Sequence, residues 1–196
     1  MGYLSQLKME NLGLRYLGKN VKISENAILY NPCKISIGDN SRIDDFCIIS
    51  ASEYGIFIDK FVHIAAFCSI QGMGKVTLED FSGLSSRVAI YASSDDYSGL
   101  AMTNPCVAKE FTNVISGPVT IKKHAIIGVS SCILPNVEIG IGSAIGAFSL
   151  VSKSIENSAI AVGVPAKFKV PRKQNIFELE KEFLKSISTT KSKDTL

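Results

Sequence analysis

Residues 119–151 read VTIKKHAIIGVSSCILPNVEIGIGSAIGAFSLV, and a count of six runs through the whole stretch. A branched aliphatic residue stands at every sixth position, and a small or branched residue stands two positions before each of them. An α-helix repeats about every 3.6 residues and a plain strand about every two, so a period of six indicates neither. It predicts a β-solenoid, in which each short strand turns a corner and successive coils stack. The two columns are Ile121, Ile127, Ile133, Ile139, Ile145 and Val151, and Val119, Ala125, Ser131, Val137, Ser143 and Ser149.

The same count continues toward the N-terminus in groups of three, and each group predicts one triangular turn. It is broken between Ile90 and Ile121, where the segment is rich in Ser, Asp, Asn, Gly and Pro and has no sustained period. A long loop inside a compact domain is usually functional or disordered, and we predict a functional loop at residues 91–118. The earlier columns are Leu17 and Ile23, then Ile37, Ile43 and Ile49, then Ile58, Ile64 and Ile70, then Leu78, Leu84 and Ile90.

The two ends of the chain do not follow the count. Residues 1–16 hold four leucines among polar residues, and we predict only that they cap the first coil. Between Asn175 and Ser188, apolar residues recur at helical spacing, which predicts an amphipathic helix that packs on the solenoid or on a neighbouring subunit. The predicted organisation is therefore a cap at 1–16, a β-helix domain at 17–172 and a C-terminal helix and tail at 173–196.

Composition indicates a soluble globular protein with room for one sizeable core. The net charge is only +3, and the basic residues gather late in the chain without a nucleic-acid-binding motif, so no nucleic-acid partner is predicted. The N-terminus lacks the basic and apolar regions of a secretory signal, and no apolar run reaches the length of a membrane span. Five cysteines without a CxxC pair predict buried thiols in a reducing compartment. We expect a cytoplasmic protein with no membrane span.

The repeat is carried by hexads such as IGDNSR, IDDFCI, IGVSSC, ILPNVE, IGIGSA and IGAFSL, and the coils close with VGVPAK at residues 162–167. Together with the long loop, these motifs resemble the hexapeptide-repeat acyltransferases. The resemblance implies an all-β fold, a left-handed parallel β-helix shaped as a triangular prism, with an excursion loop and a short C-terminal α-helix.

Within that family, the chain is similar to the sugar O- and N-acetyltransferases that act on nucleotide sugars or on precursors of polysaccharides such as lipopolysaccharide. The resemblance implies an enzyme that moves an acetyl group from acetyl-coenzyme A to a hydroxyl or amino group of a sugar. It also implies a homotrimer whose active sites lie between neighbouring prisms.

The resemblance places acetyl-coenzyme A, the acyl donor, along the C-terminal coils. Residues just after the inward column would line a groove for its pantetheine arm, because small side chains let the backbone approach closely. Judged from the residues alone, the small ones can simply turn corners and the basic ones can simply be solvated. The groove residues are Gly128, Val129, Ser130, Gly146, Ala147 and Phe148, the closing motif supplies Pro165, Ala166 and Lys167, and the phosphate candidates are Lys153, Lys167 and Arg172.

Acetyl transfer needs a base for the acceptor and a donor for the oxyanion. The chain has two histidines, His63 and His124, and each should point outward from the prism as an accessible candidate base. We favour His63, with Asp95 or Asp96 at the start of the long loop as the carboxylate that orients it. Candidate contacts of the sugar acceptor are Ser85, Ser86, Ser94 and Tyr97.

The sequence allows other roles for the two loop carboxylates, Asp95 and Asp96. Family members with a sugar acceptor often carry a histidine at the mouth of the long loop, where this chain has Asp95 and Asp96 instead. Either aspartate can therefore bind the acceptor or serve as the base for an amine. Both can also be ordinary turn residues, since Gly99 follows them.

Two other functions compete with acetyl transfer. A zinc enzyme like the trimeric β-helix carbonic anhydrases needs three converging histidines, and this chain has two, so no metal site is predicted. A non-catalytic trimeric β-helix that serves as a scaffold or binding module is the main alternative.

Overall fold

The computed structural model describes residues 2–193, and the side chains of residues 2–188. Short parallel strands stack into a β-solenoid of about seven turns, and each complete turn contributes one strand to each of three sheets. The first sheet contains β1 (Tyr16–Leu17), β4 (Ile35–Ile37), β7 (Ile56–Ile58), β10 (Val76–Leu78), β15 (Val119–Ile121) and β18 (Val137–Ile139). The second contains β2 (Lys22–Ile23), β5 (Arg42–Ile43), β8 (His63–Ile64), β11 (Gly83–Leu84), β16 (Ile126–Ile127), β19 (Ala144–Ile145), β21 (Ala159–Val162) and β22 (Lys167–Pro171). The third contains β3 (Ile28–Tyr30), β6 (Ile48–Ser50), β9 (Ser69–Gln71), β12 (Ala89–Tyr91), β17 (Cys132–Ile133) and β20 (Leu150–Val151).

The register of the strands keeps the six-count aligned from coil to coil. On the first sheet Leu78 lies opposite Ile58 on one side and Ile121 on the other, and all three are buried. Burying a side chain of this size contributes about 1.5–3 kcal/mol, so the stacked columns supply most of the core. The second column holds small residues such as Ser41, whose hydroxyl donates to the Asp59 carbonyl at 2.7 Å. The predicted all-β parallel solenoid is confirmed.

Left-handed backbone marks the corner between the first and second sheets. Asn20, Asn40, Phe61, Phe81 and His124 occupy successive levels of this corner with φ from 55° to 60°. Asparagine tolerates this conformation, whereas a bulky residue pays a steric cost there. Ring stacking offsets that cost, since the Phe61 and Phe81 centroids are 4.7 Å apart and those of Phe81 and His124 are 5.0 Å apart.

The long break in the count is an excursion that leaves the prism after β12. Its two ends pair as an antiparallel hairpin of β13 (Ser93–Ser94) and β14 (Ile115–Ser116). A 3₁₀ helix at Lys109–Phe111 lies inside the loop, and a second one at Pro32–Lys34 lies at a corner of the prism. Coil stacking resumes across the loop, because β10 pairs directly with β15.

A C-terminal helix, α2 (Ile176–Lys193), packs along the corner of stacked rings. The Phe183 ring meets Phe61 and Phe81 edge-on at 5.5 and 6.1 Å, and the Phe177 ring meets His124 edge-on at 5.5 Å. An α-helix rises about 1.5 Å per residue and strands are spaced about 4.8 Å apart, so helix residues about three apart meet successive coils. The helix therefore lies along the prism and spans several turns of it.

The N-terminal segment covers the other end of the core. It contains α1 (Gln6–Glu10), which places Met9 against the core, and the Leu4 amide donates to the Ile23 carbonyl at 2.8 Å. The prediction of buried cysteines holds for Cys47 and Cys68 and is wrong for the exposed thiols of Cys33 and Cys106, which stand on corners and loops. Among the helices of residues 2–193, none has the length and apolar character needed to cross a bilayer.

Candidate active site

The outer face of the second sheet carries a column of small residues. Because side chains alternate along a strand, the residue after each inward aliphatic faces outward again. Ala65, Ser85, Gly128 and Gly146 follow the aligned residues Ile64, Leu84, Ile127 and Ile145, so they form one outward line. A line of small residues on a flat face leaves a shallow groove that runs along the prism. This is the face on which the sequence predicts a groove for the pantetheine arm, and that assignment stays a prediction.

Gly128 and Gly146 serve close stacking as well as the groove. A Cβ on Gly128 would lie 2.5 Å from the Ala147 amide nitrogen, and a Cβ on Gly146 would lie 2.6 Å from a methyl of Val162. Their amides donate to the Ile145 and Ala161 carbonyls, each at 2.8 Å, so these two N–H groups are not available to a ligand. Close stacking of the coils therefore requires glycine at both positions, and both N–H groups have partners within the protein.

The remaining cofactor candidates lie at the C-terminal end of the same prism. Val129 and Ser130 lead into a corner, with Ala147 and Phe148 exposed at the same corner one coil later. In the closing motif the Ala166 amide donates to the Leu150 carbonyl at 2.8 Å, Pro165 is exposed, and a cis peptide bond joins Val164 to it. Lys153 and Lys167 are both exposed near this end.

Arg172 is engaged within the protein. Its Nη1 donates to the carbonyls of His124, Gly142 and Ser143 at 3.0, 3.2 and 2.9 Å. Burial lowers the pKa of Arg172 from its usual value, although the guanidinium stays charged at neutral pH. This arginine ties the chain after β22 to two coils, and that structural task competes with the phosphate contact predicted from sequence.

His63 faces outward on the second sheet, and its carboxylate partner is Asp44. His63 Nε2 lies 2.8 Å from Asp44 Oδ2 and 2.9 Å from Arg42 Nη2. Arg42 also binds the Asp44 carboxylate through Nε at 2.9 Å and through Nη2 at 3.1 Å. Asp44 is buried, with only 4% of the residue exposed. The sequence favoured a loop aspartate as the orienting group, and the structure puts Asp44, 19 residues before His63, in that place.

His124 is covered by the C-terminal helix. Its side chain is 11% exposed, and Nε2 donates to Glu180 Oε2 at 2.8 Å. Lys123 Nζ lies 2.6 Å from the other oxygen of the same carboxylate. Burial pushes the pKa of Glu180 upward, but the bonds from Lys123 and His124 outweigh it and hold that pKa below its ordinary value. The prediction of an accessible His124 is wrong, because α2 packs over its corner.

The excursion loop encloses a cavity of about 810 Å³ against the third sheet. The half-buried Asp95 lines it, together with Ser93, Ser94 and Tyr97. Apolar side chains supply much of the remaining wall, among them Met73, Tyr91, Val107, Val114 and Leu134, and the polar side chains of Asn104, Lys109 and Thr112 complete it. A carboxylate in a mainly apolar cavity is a favourable setting for binding a cationic group.

Asp96 has a different task from its neighbour. Its Oδ1 accepts the Ser98 amide at 2.7 Å, and the residue is buried. Hydrogen bonds from Ser98, first from its side chain and then from its backbone, hold the pKa of Asp96 below its ordinary value. This is the turn role considered from sequence, whereas Asp95 faces the cavity.

The predicted residues therefore form two groups on different faces of one prism. His63 and Ser85 lie on the second sheet with the small-residue groove, since Gly83, in register with His63, is two residues before Ser85. Asp95, Ser94 and Tyr97 lie at the loop cavity on the third sheet, and Ser86 lies between the two faces, where its carbonyl accepts the Ser130 amide at 3.0 Å. Sequence reasoning missed Arg42 and Asp44, because their alignment with His63 depends on coil lengths that vary by a residue or two.

Comparisons with known proteins agree with this architecture. The chain is 48% identical over 183 residues to a dTDP-4-amino-4,6-dideoxy-D-glucose acyltransferase of Escherichia coli, covering 93% of this chain and 95% of that protein. The chain belongs to the hexapeptide-repeat sugar acyltransferases. A comparison with models of known protein families finds no match.

Solved structures give the same result. AntD, an N-acyltransferase from Bacillus cereus in complex with dTDP and 3-hydroxybutyryl-CoA, superposes with a TM-score of 0.92 at 45% identity, covering 95% of this chain and 98% of that one. A putative acetyltransferase from the same organism matches at 25% identity with a TM-score of 0.58, covering 88% of this chain and 87% of that one. The predictions of a sugar acyltransferase and of a coenzyme A donor are confirmed, and nothing in these comparisons supports a non-catalytic scaffold.

Proposed function

We propose that this enzyme transfers an acyl group from acyl-coenzyme A, acetyl-coenzyme A in the simplest case, to the amino group of a nucleotide-linked amino-deoxy sugar. The observation that carries the proposal is the half-buried Asp95 carboxylate in an apolar cavity. Support comes from relatives named for a dTDP-linked 4-amino-4,6-dideoxyglucose, one of them solved with that sugar and coenzyme A. A carboxylate can bind an ammonium ion, and apolar walls suit a deoxy sugar with its methyl group.

Asp95 is the proposed general base. At neutral pH a sugar amine is largely protonated, so it must lose a proton before its nitrogen attacks the thioester carbon. The carboxylate accepts that proton, the new N–C bond forms, and the tetrahedral intermediate expels the coenzyme A sulfur, which is protonated as it leaves. The negative charge on the carbonyl oxygen needs a hydrogen-bond donor at that moment.

Ser85 is the proposed donor beside the thioester. Its outward position lies in the groove between Ala65 and Gly128, next to the predicted course of the pantetheine arm. Its hydroxyl can donate to the oxyanion or to the leaving sulfur. AntD has been solved with one aspartate replaced and with one serine replaced, and these are the two residue types to which we assign roles here.

The two halves of this site come together only if a second copy supplies one of them, and we therefore include a homotrimer in the proposal. Within one prism the groove and the loop cavity face different directions. The loop also exposes apolar side chains, with Tyr97 and Leu100 each 91% exposed. Closure around a threefold axis would press the loop of one protomer onto the second sheet of the next and give three equivalent sites.

His63 remains a second candidate base, through one nitrogen only. Nε2 is enclosed by Asp44 and Arg42, so a substrate proton could reach only Nδ1. For the cofactor phosphates we keep Lys153 and Lys167, which are free of the internal bonds that hold Arg172. The reaction belongs in the cytoplasm, where acyl-coenzyme A and nucleotide sugars are available for polysaccharide precursors.

The direct test measures thiol release from acetyl-coenzyme A with a panel of acceptors. The panel contains nucleotide-linked 4-amino sugars, their hydroxyl counterparts and free amino sugars. Release should be fastest with a nucleotide-linked amino sugar, and the product should gain one acetyl group on nitrogen by mass spectrometry. Equal release with the hydroxyl counterparts, or none with any acceptor, would refute the proposal.

A further inference from the structure

The corner between the second and third sheets carries a column of outward side chains, which we call the corner column. All five members have left-handed backbone, with φ from 55° to 64°. At each level after the first, the amide donates to a carbonyl of the coil before it at 2.9–3.1 Å. This shared backbone geometry points the five side chains in one direction. The members, in order along the prism, are Phe46, Phe67, Arg87, Ser130 and Phe148.

The first three levels of the corner column form one stack. The Phe46 and Phe67 ring centroids are 5.1 Å apart, and Arg87 Cζ lies 5.5 Å from the centroid of the Phe67 ring. These distances follow the spacing of about 4.8 Å between neighbouring strands. Phe46 and Phe67 are nevertheless 54% and 51% exposed, and Arg87 is exposed beside them. Exposed rings in a contiguous patch are typical of a surface that meets another protein.

The proposed trimer turns the corner column toward its threefold axis. In that trimer the excursion loop, which lies against the third sheet of one protomer, meets the second sheet of the next. These two sheets share the corner column, so cyclic closure directs the same corner inward from all three copies. The exposed rings then cover one another, and every level of the column is repeated three times around the axis.

Three copies of Arg87 would converge on the axis without a counter-ion from the protein. Within residues 2–188, no carboxylate forms an ion pair with this guanidinium. The coil segments at its level and at the next two levels, residues 85–89, 128–132 and 146–150, contain no Asp or Glu, so the other copies supply none there. Like charges that lose their water repel one another strongly. An anion between the three guanidiniums removes that repulsion.

The next level of the column provides the space and further donors for such an anion. Ser130 stands where a ring would continue the stack, so a small side chain separates the level of Arg87 from that of Phe148. The Ser130 amide donates to the Ser86 carbonyl at 3.0 Å, whereas its hydroxyl has no hydrogen-bond partner within residues 2–188. Three guanidiniums from one level and three hydroxyls from the next match the oxygen acceptors of a tetrahedral anion.

We infer that three copies of Arg87 and Ser130 form a site on the threefold axis for one small tetrahedral oxyanion, such as inorganic phosphate. The inference rests on the homotrimer included in the proposed function, and it adds a site that takes no part in acyl transfer. The rings of Phe67 and Phe148 bound the site along the axis. The anion stabilises the trimer by offsetting the charge of the three arginines.

The test is calorimetric titration of the full-length protein with inorganic phosphate, with chloride keeping the ionic strength constant. The wild type should bind one phosphate per three chains, a ratio that a cofactor site present in every chain does not give. Arg87→Gln should weaken binding by about a hundredfold or more, because three charged donors are lost together. Arg15→Gln is the matched control and should bind phosphate normally, since Arg15 also lies over a ring, 5.4 Å from the Phe57 centroid, but on the first sheet.

A second variant keeps the charge and fills the space. Ser130→Phe places a ring at the level between Arg87 and Phe148, so phosphate binding should be lost although the arginines remain. Light scattering shows whether each variant is still a trimer. If Arg87→Gln no longer assembles, Ser130→Phe decides, and trimers of that variant that still bind one phosphate per three chains would overturn the inference.

The remaining outcomes separate this inference from the proposed function. Binding of one phosphate per chain, or unchanged binding by Arg87→Gln trimers, would also overturn it, since the anion would then lie away from the axis. The same holds if wild-type trimers bind no phosphate or if the wild-type protein is a single chain in solution. Acyl transfer is judged by thiol release in phosphate-free buffer, and no release with any acceptor would count against the proposed function whatever the titrations show.

Discussion

At the scale of single residues, two adjacent aspartates have separate tasks. Asp95 faces the loop cavity, whereas Asp96 is buried and accepts the Ser98 amide. Sequence alone could not divide these roles, because an Asp-Asp pair before a glycine fits both a turn and a catalytic site. The division follows from which carboxylate the hairpin directs toward the prism.

The pair gives a matched test of the general base. Asp95→Asn preserves size but cannot accept a proton, so kcat/KM for acyl transfer should fall by roughly a hundredfold or more. Asp96→Asn still offers an amide oxygen to Ser98 and should stay close to the wild type. Thiol-release kinetics measure both, with coenzyme A affinity as the check on folding. A larger loss in Asp96→Asn than in Asp95→Asn would reverse the assignment.

At the scale of elements, the C-terminal helix is held to its corner by charge as well as by rings. Glu180 receives Lys123 and His124 together, and those bonds hold its pKa below the ordinary value. The helix and its apolar stripe could be predicted from spacing. The corner on which the helix packs could not be predicted, because periodicity shows which residues face inward but not what packs over a corner. The positive φ angles of Phe61, Phe81 and His124 were also not predictable from sequence, since bulky residues rarely adopt that backbone conformation.

The Glu180 contacts predict acid-sensitive docking of α2. A carboxylate whose pKa is depressed in the folded state contributes stability above its unfolded pKa of about 4.3, and this contribution is lost as pH falls through the lower folded value. Hydrogen exchange of residues 176–188, corrected for intrinsic rates, should show protection that weakens below about pH 4. Glu180→Gln should show weaker protection at neutral pH and a flatter dependence. Identical profiles for both proteins would contradict the assignment.

At the scale of the whole molecule, the proposed site needs two copies. We predict a mass near three times the 21.1 kDa of one chain in solution, measured by light scattering. The solenoid was predictable because the count of six specifies the inward columns and the break, whereas the packing over its corners was not. The site was predictable only in part, because His63, Arg42 and Asp44 meet across coils of unequal length and the two faces meet only in an assembly.

Mixing two inactive proteins tests the shared site. Asp95→Asn lacks the base, and Ser85→Leu fills the groove where the thioester should lie. If each site combines the loop of one protomer with the sheet of the next, trimers reassembled from an equal mixture should regain up to about a quarter of wild-type activity. Each variant reassembled alone should stay inactive and serves as the control. No recovery from mixed trimers would place both groups in one protomer.

The match between helix rise and coil spacing has a thermodynamic consequence. A solenoid whose coils touch only their neighbours can melt one coil at a time, from the ends inward. Here α2 contacts Gly142 and His124 through Phe177, and Phe81 and Phe61 through Phe183, so one rigid helix bridges four successive levels. Unfolding any of those levels undocks the helix from the others. The full chain should therefore melt in a single calorimetric transition, whereas Phe183→Ala at the same protein concentration should broaden that transition. By this account the C-terminal helix turns a stack of independent coils into a single cooperative unit.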